Sequence, residues 1–286
     1  MTGHSERYWS SPDGLRLFAR DYAGAGGEAR LPVICLHGLT RNSRDFEDVA
    51  PGIAATGRRV LALDVRGRGR SDRDPIAANY HVGTYAADVA ALMDQLGIAR
   101  AVFLGTSMGG LITMTLALTA PARVAAAILN DIGAELHPNG IARIASYVGK
   151  PVEIATWADA AAYARATNGA AFPHYRDEDW RAFARRTLRE GEDGQPVLDY
   201  DPAVASAVAP GAIPDLWPLF TAFASGRPLA LIRGEISDLI TADIAQRMQA
   251  VAPQLEVTQV PGVGHAPMLT EPEAQAALGR FFDAVP

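Results

Sequence analysis

The sequence has one cysteine and no long apolar run, and each scarcity excludes a class of protein. Cys35 by itself cannot form an internal disulfide, a pattern that fits a reducing compartment. No apolar stretch approaches the roughly 20 residues needed to cross a bilayer. No apolar signal-peptide core follows the polar residues 1–6. We therefore expect a cytoplasmic protein that has no membrane partner.

The chain has fewer basic than acidic residues. The 26 Lys and Arg against 32 Asp and Glu give a formal net charge of −6. A nucleic-acid-binding protein presents a basic face, so nucleic acid is not an expected partner. With 286 residues, 49% of them hydrophobic and 20% charged, the chain has the composition of an ordinary globular enzyme. This length fits one large domain or a domain that carries an insertion.

Short apolar segments alternate with helix-like segments along most of the chain. After an opening hairpin over residues 8–22, the strand-like segments are 31–36, 59–65, 101–104, 124–129, 228–232 and 255–260. This alternation predicts an α/β fold with a doubly wound, mostly parallel sheet. Residues 134–226 break the rhythm with helical stretches and no convincing buried strand. We therefore predict a core of residues 1–133 and 227–286, with residues 134–226 as a helical cap.

A serine stands at one strand-to-helix transition, in Gly105-Thr106-Ser107-Met108-Gly109. Glycines two residues before and after the serine remove the Cβ atoms that would collide where a strand turns sharply into a helix. The turn holds the serine hydroxyl above the sheet edge. The first helical N–H groups beside it have no intrahelical partner and can face a developing negative charge. A tightly packed glycine turn without chemistry is the alternative interpretation.

A nucleophilic serine needs a base and an acid that orients the base. His265 follows the last strand-like segment, at the carboxyl edge where open α/β sheets place their ligands. Asp238 follows the segment 228–232 and is the acid we predict to orient His265. Asp131, at the end of segment 124–129, is a competing candidate because it reaches the same edge. The chain order Ser, Asp, His is the order of the α/β-hydrolases.

The backbone N–H of Met108 is one predicted oxyanion donor, and the turn His37-Gly38-Leu39 offers the Leu39 N–H as the second. In the turn over residues 66–72, three arginines are nearly balanced by nearby aspartates. This balance favours a solvated or internally paired turn over a phosphate site.

These segments resemble the α/β-hydrolase fold serine hydrolases, in particular the cap-bearing esterase and enol-lactonase group. The resemblance is carried by Leu36–Thr40, Asp64–Asp72, Gly105–Gly110 and Gly264–Pro267 with Glu271-Pro272. It implies Ser107 as nucleophile, His265 as base, Asp238 as acid, and Leu39 and Met108 as oxyanion donors. It further implies hydrolysis of a small-molecule ester or lactone through an acyl-enzyme, without a metal or an organic cofactor.

Other members of the fold remain alternatives. Amidases, peptidases and cofactor-free perhydrolases use the same triad, and a binding protein of this fold would keep the cavity without turnover. Carbon–carbon bond hydrolases usually place an aromatic residue after the base histidine, where this chain has Ala266. Dehalogenases and epoxide hydrolases use a carboxylate nucleophile, which the serine at position 107 excludes.

Three residues are candidate substrate contacts. Arg41 follows the His-Gly turn and can pair with a substrate carboxylate, although a surface arginine is the favoured interpretation. Trp217 and Phe220 can line an apolar pocket. Such aromatic residues more often seat a cap on its core, which is the interpretation we favour for these two.

Overall fold

The computed structural model describes residues 3–26, 30–208 and 215–286. Ten strands are assigned in this part of the chain: β1 (Ser5–Ser10), β2 (Arg16–Tyr22), β3 (Val33–Leu36), β4 (Val60–Asp64), β5 (Ala101–Thr106), β6 (Val124–Asn130), β7 (Leu188–Glu190), β8 (Pro196–Leu198), β9 (Leu229–Gly234) and β10 (Leu255–Val260). Nine α-helices accompany them: α1 (Ala50–Ala55), α2 (Val82–Gln95), α3 (Met108–Thr119), α4 (Pro138–Tyr147), α5 (Trp157–Asn168), α6 (Asp177–Thr187), α7 (Trp217–Ala224), α8 (Ala242–Val251) and α9 (Pro272–Ala284).

Eight strands form one sheet in the order β1-β2-β4-β3-β5-β6-β9-β10. β1 pairs antiparallel with β2, and β2 antiparallel with β4, whereas every later pair in the order is parallel. The predicted doubly wound, mostly parallel sheet with an opening hairpin is therefore confirmed. β3, β4 and β5 are buried at every position, as expected of strands covered by helices on both faces.

Two apolar clusters cover the two faces of the sheet. The larger includes Phe103 and Leu129 of the sheet together with Ile112 of α3 and Met248 of α8. The other packs Val102 and its strand neighbours against α1 and α9. Because β3, β5, β6 and β9 run parallel, their carboxyl ends meet at one edge of the sheet. The loops that follow them at this edge are free to build a site.

In the chain after β6, α4 contributes Ile144 to the larger core cluster, whereas α5 and α6 form a helical region with its own cluster. α5 and α6 pack on each other around a third apolar cluster, which contains Phe172, Trp180 and Phe183. This region also contains a short antiparallel hairpin of β7 and β8, whose residues are mostly exposed or half-buried. The hairpin has three-residue strands, too short to produce a recognisable buried-strand pattern. The polar residues 191–195 form its turn.

The helical segment between β3 and β4 has two parts. A 3-10 turn over Ser43–Phe46 precedes α1, which begins only at Ala50. Pro51 stands in the first turn of α1, where its missing N–H and fixed φ are tolerated. Among the described residues, no helix is long and apolar enough to cross a membrane.

Candidate active site

Ser107 lies at the sharp turn between β5 and α3. Its backbone has φ 51° and ψ −116°, a conformation that a residue with a side chain adopts only at a cost. The turn closes because its glycines lack side chains. A Cβ on Gly105 would lie 2.6 Å from the Gly109 carbonyl oxygen, and one on Gly109 would overlap with the Leu36 backbone. The strained serine is therefore held with its side chain at the mouth of a cavity.

His265 joins Ser107 to a buried carboxylate. Its Nε2 lies 2.9 Å from Ser107 Oγ, and its Nδ1 lies 2.8 Å from Asp131 Oδ2. Asp131 follows β6, the strand next to β5, and is fully buried. Three side chains from three loops thus form one line of hydrogen bonds. In that line an imidazole can take the serine proton while a carboxylate fixes its tautomer.

Asp131 is held by further donors. The Gly234 N–H donates to Oδ1 over 2.9 Å, and the Ser237 hydroxyl donates to Oδ2 over 2.5 Å. These bonds stabilise the ionised carboxylate and fix the oxygen that faces His265. The loop after β9 thus contributes Ser237 to the site.

The prediction that Asp238 orients His265 is wrong. Asp238 instead forms a bidentate ion pair with Arg143 of α4, over 2.5 and 2.8 Å. Burial raises the pKa of Asp238, but the hydrogen bond and charge of Arg143 outweigh it and leave that pKa below its usual range. The competing candidate Asp131 occupies the position instead. Asp238 lies four residues beyond β9, and its loop carries it towards α4.

The turn after β3 lies directly beside the serine. A methyl group on Gly38 would lie 3.7 Å from Ser107 Cβ, so the turn that carries Leu39 lies next to Ser107, while Met108 follows Ser107 directly at the start of α3. Arg68 ties these two residues together. Its buried guanidinium donates from Nε to the Leu39 carbonyl oxygen over 3.0 Å and approaches Met108 Sδ at 3.4 Å. This placement is consistent with the predicted oxyanion donors.

The arginine turn after β4 is internally paired, as its charge balance predicts. Arg66 is 1% exposed and donates to Asp88 over 2.6 and 2.7 Å, to Asp74 over 2.5 Å and to Asp13 over 2.8 and 3.0 Å. A buried guanidinium satisfied by three carboxylates holds the turn rigid. Arg68 is presented to the site from this turn.

His37 holds the turn after β3 in place. It is fully buried, with Nδ1 2.8 Å from the Gly38 carbonyl oxygen and Nε2 3.1 Å from the Val65 nitrogen. Nε2 must accept from the Val65 N–H, so the ring is neutral and Nδ1–H donates to Gly38. Burial lowers the pKa of His37 to about 3. The histidine is thus a structural link between β3 and β4.

The buried neutral ring makes stability depend on pH. The unfolded histidine takes up a proton near pH 6.5 and the folded one only near pH 3, so acid favours the unfolded chain. In His37→Gln the amide oxygen can still accept from Val65, but this position no longer titrates. We expect the stability advantage of the parent over His37→Gln to shrink by about 1.4 kcal/mol per pH unit below 6.5.

Urea unfolding of both proteins at pH 7 and pH 5 measures that difference, which should fall by about 2 kcal/mol. Groups common to both proteins, such as Asp88 and Asp199, cancel in the comparison. A difference that stays constant across these pH values would mean that folding leaves the pKa of His37 unchanged.

The cavity at Ser107 has a volume of about 60 Å³. Gly38, Leu39, Arg41, Ser107 and His265 line it, and Ile144 and Tyr147 of α4 form part of its wall. Arg41 is therefore at the cavity, as one of its two interpretations predicts.

Trp217 and Phe220 lie elsewhere, so their assignment as substrate contacts is wrong. Phe220 is fully buried in the core cluster where α7 packs on α3, and Trp217 donates from Nε1 to Glu135 over 3.0 Å. Neither lines the cavity at Ser107. Both residues seat α7 on the core, which is the interpretation we favoured.

Comparison with known proteins gives consistent matches over the chain. A family model described as the alpha/beta hydrolase fold matches residues 32–272. The crystal structure of an alpha/beta hydrolase from Novosphingobium aromaticivorans is similar with a TM-score of 0.92 and 45% identity, and the match covers 100% of both chains.

Two relatives carry descriptions of activity. A 3-hydroxybutyrate-oligomer hydrolase from Cupriavidus necator is 36% identical over 283 residues, which are 95% of this chain and 94% of the relative. The structure of an N-acyl homoserine lactone degrading enzyme is 26% identical with a TM-score of 0.66, and the match covers 96% of this chain and 99% of that one.

Proposed function

This chain belongs to the alpha/beta hydrolase fold family, and we propose that it hydrolyses carboxylic esters through an acyl-enzyme formed on Ser107. The observation that carries the proposal is the line of hydrogen bonds from Ser107 through His265 to Asp131, at 2.9 and 2.8 Å. Its members come from three distant parts of the chain. A structural role alone does not require a strained serine in line with a histidine and a buried carboxylate.

Each group has one task in the proposed reaction. His265 Nε2 takes the Ser107 proton as Oγ attacks the ester carbonyl carbon, and the Leu39 and Met108 N–H groups bind the resulting oxyanion. The imidazolium then gives its proton to the leaving alcohol as the carbon–oxygen bond breaks. Asp131 stabilises the imidazolium throughout. A water molecule, deprotonated by His265, releases the acid and regenerates the serine.

Two comparisons suggest which esters to test. The similarity to a 3-hydroxybutyrate-oligomer hydrolase favours short linear esters of hydroxy acids. The similarity to a lactone-degrading enzyme favours a test of lactones, in which the alcohol released from the carbonyl stays attached to the acyl group. The same triad serves both substrate types.

Covalent labelling combined with turnover tests the proposal. We expect a fluorophosphonate probe to modify Ser107 at one equivalent per chain, as located by peptide mass spectrometry, and to abolish hydrolysis of p-nitrophenyl butyrate. The Ser107→Ala protein should be neither labelled nor active. Labelling without turnover of any short ester, hydroxy-acid dimer or lactone would favour a binding protein instead. Absence of labelling would contradict the proposed nucleophile.

A further inference from the structure

A second, smaller chamber adjoins the cavity at Ser107. It has a volume of about 30 Å³ and shares Thr40, Arg41, Tyr147 and Asn168 with the first cavity. Side chains from α5 and α6 complete its wall. A substrate bound at Ser107 therefore has a neighbouring space into which one of its ends can extend.

Three tyrosines supply hydroxyl groups to this chamber: Tyr147, Tyr163 and Tyr200. Burial raises the pKa of each of them, so all three stay protonated and able to donate at neutral pH. Tyr200 is only 4% exposed, and its hydroxyl, whose nearest polar neighbours include Tyr163 and the Gly149 backbone, meets hydrogen-bond geometry with none of the described residues. A buried hydroxyl without a partner is costly, and a ligand acceptor would remove that cost.

Arg41 lies between the two spaces. A methyl group on Gly38 would lie 3.6 Å from Arg41 Cγ, and the guanidinium carbon lies 4.4 Å from the centre of the Phe183 ring, which lines only the second chamber. Asp45 Oδ1 accepts from Nε over 2.9 Å and lies 2.8 Å from Nη2. Within the described part of the chain, Nη1 has no acceptor, so this edge of the guanidinium retains donors.

Several polar groups of the chamber already donate within the protein. Thr167 and Thr187 donate their hydroxyl protons to main-chain carbonyl oxygens, and the Asn168 amide nitrogen donates to Ala164 and Thr167. The Tyr200 hydroxyl and Arg41 Nη1 remain as donors that have no acceptor among the described residues. A ligand group that only accepts hydrogen bonds suits this set best, and a carboxylate is that group.

We propose that the second chamber binds a carboxylate carried by the substrate a short chain away from the ester that is cleaved. Arg41 Nη1 and the tyrosine hydroxyls donate to its oxygens. The proposal rests on the ester hydrolysis proposed above and adds its substrate class, which is short-chain esters with an anionic end. Because Asp45 already balances the charge of Arg41, the tyrosine hydroxyls are needed as well as the guanidinium.

Matched pairs of substrates test the proposal, each comparing a carboxylate with the isosteric primary amide. The p-nitrophenyl ester of glutaric acid and that of glutaramic acid place the group on the acyl side. The pair 3-(butyryloxy)butanoate and 3-(butyryloxy)butanamide places it on the alcohol side. Spontaneous hydrolysis is subtracted. We expect the parent protein to favour the carboxylate at least tenfold in kcat/KM in one pair, chiefly through a lower KM.

Variants locate the source of that preference. Arg41→Gln and Tyr200→Phe should each bring the acid-to-amide ratio towards one, whatever factor both substrates lose in common. Tyr200→Phe keeps the ring and its packing, so it serves even if Arg41→Gln fails to fold. Arg165→Gln removes the same charge from an exposed position of α5 paired with Asp177, and should leave the ratio unchanged. A parent ratio near one in both pairs, or a ratio unaffected by Arg41→Gln and Tyr200→Phe, would overturn the proposal.

Binding to the Ser107→Ala protein separates this proposal from the proposed reaction. Glutarate should bind, as measured by titration calorimetry, whereas glutaramide should not, and Arg41→Gln in the same background should abolish glutarate binding. Ester turnover without glutarate binding or acid preference would leave the hydrolase intact and refute the carboxylate site. Glutarate binding that depends on Arg41, without turnover of any ester, would support the site and refute the proposed reaction.

Discussion

The Asp131→Asn protein is expected to hydrolyse p-nitrophenyl butyrate with a kcat/KM about 10³- to 10⁴-fold below that of the parent. An amide cannot stabilise the imidazolium that forms when His265 takes the serine proton. An amide that donates to Nδ1 also favours the tautomer with its proton on Nε2, which cannot accept from Ser107. The substitution is nearly isosteric, so the loss reports on charge and tautomer and not on packing.

Asp238→Asn is the matched control, because the sequence favours Asp238 for the same role. Its carboxylate pairs with Arg143, so we expect a loss of less than about tenfold, the scale of one partly exposed ion pair. Urea unfolding midpoints of both variants show whether either loss of activity comes from unfolding. A larger loss for Asp238→Asn than for Asp131→Asn would restore the sequence-based assignment.

The second large effect is on stability. In Gly109→Ala the added methyl group would overlap with the carbonyl group of Leu36, which belongs to the buried strand β3. Relief requires α3 to move away from the sheet, so we expect a loss of about 3 kcal/mol or more in the free energy of unfolding. We also expect loss of activity, because Ser107 moves with the start of α3. Urea unfolding followed by circular dichroism measures the stability.

Gly279→Ala provides the opposite case. Gly279 lies in α9 with nothing within 4 Å of an added Cβ. Alanine there should stabilise the protein by about 0.5–1 kcal/mol, because it restricts the unfolded chain and favours the helix. A loss of stability in Gly279→Ala as large as that in Gly109→Ala would show that the close approach of α3 to β3 does not explain the effect, because the methyl group at position 279 meets nothing.

The parts of the site that the sequence predicts are those governed by local chemistry. Glycines at fixed spacing around Ser107 are required by the close approach of backbones within one strand-turn-helix unit. His265 follows the last strand by five residues, and its position is limited by a short loop. The eight-stranded sheet follows from alternation alone, because buried parallel strands need continuous apolar runs.

Local chemistry does not identify the acid that orients His265, because two aspartates follow strands at the same sheet edge. Asp131 directly follows β6, and its position is set by the strand itself. Asp238 lies four residues beyond β9, and those residues turn its side chain to Arg143. The spacing between a strand and an aspartate does not encode the path of a loop. The partner that draws Asp238 away lies 95 residues earlier in the chain.

In the cap region, too, sequence patterns do not predict contacts between residues that lie far apart in the chain. The three-residue strands β7 and β8 pair through local turns that leave no periodic pattern, and Trp217 and Phe220 have the composition of pocket residues although they pack on α3. The tyrosines of the second chamber come from α4, from α5 and from the segment after β8. No spacing in the sequence connects them.

The alternation of strands and helices, the strained serine and the histidine were thus determined by the sequence itself, since each depends on residues that are neighbours along the chain. Which aspartate meets the histidine, and which hydroxyl groups surround Arg41, were decided only by the tertiary structure. These contacts join loops and helices far apart in the chain, and packing in three dimensions selects among partners whose chemistry is equally suitable.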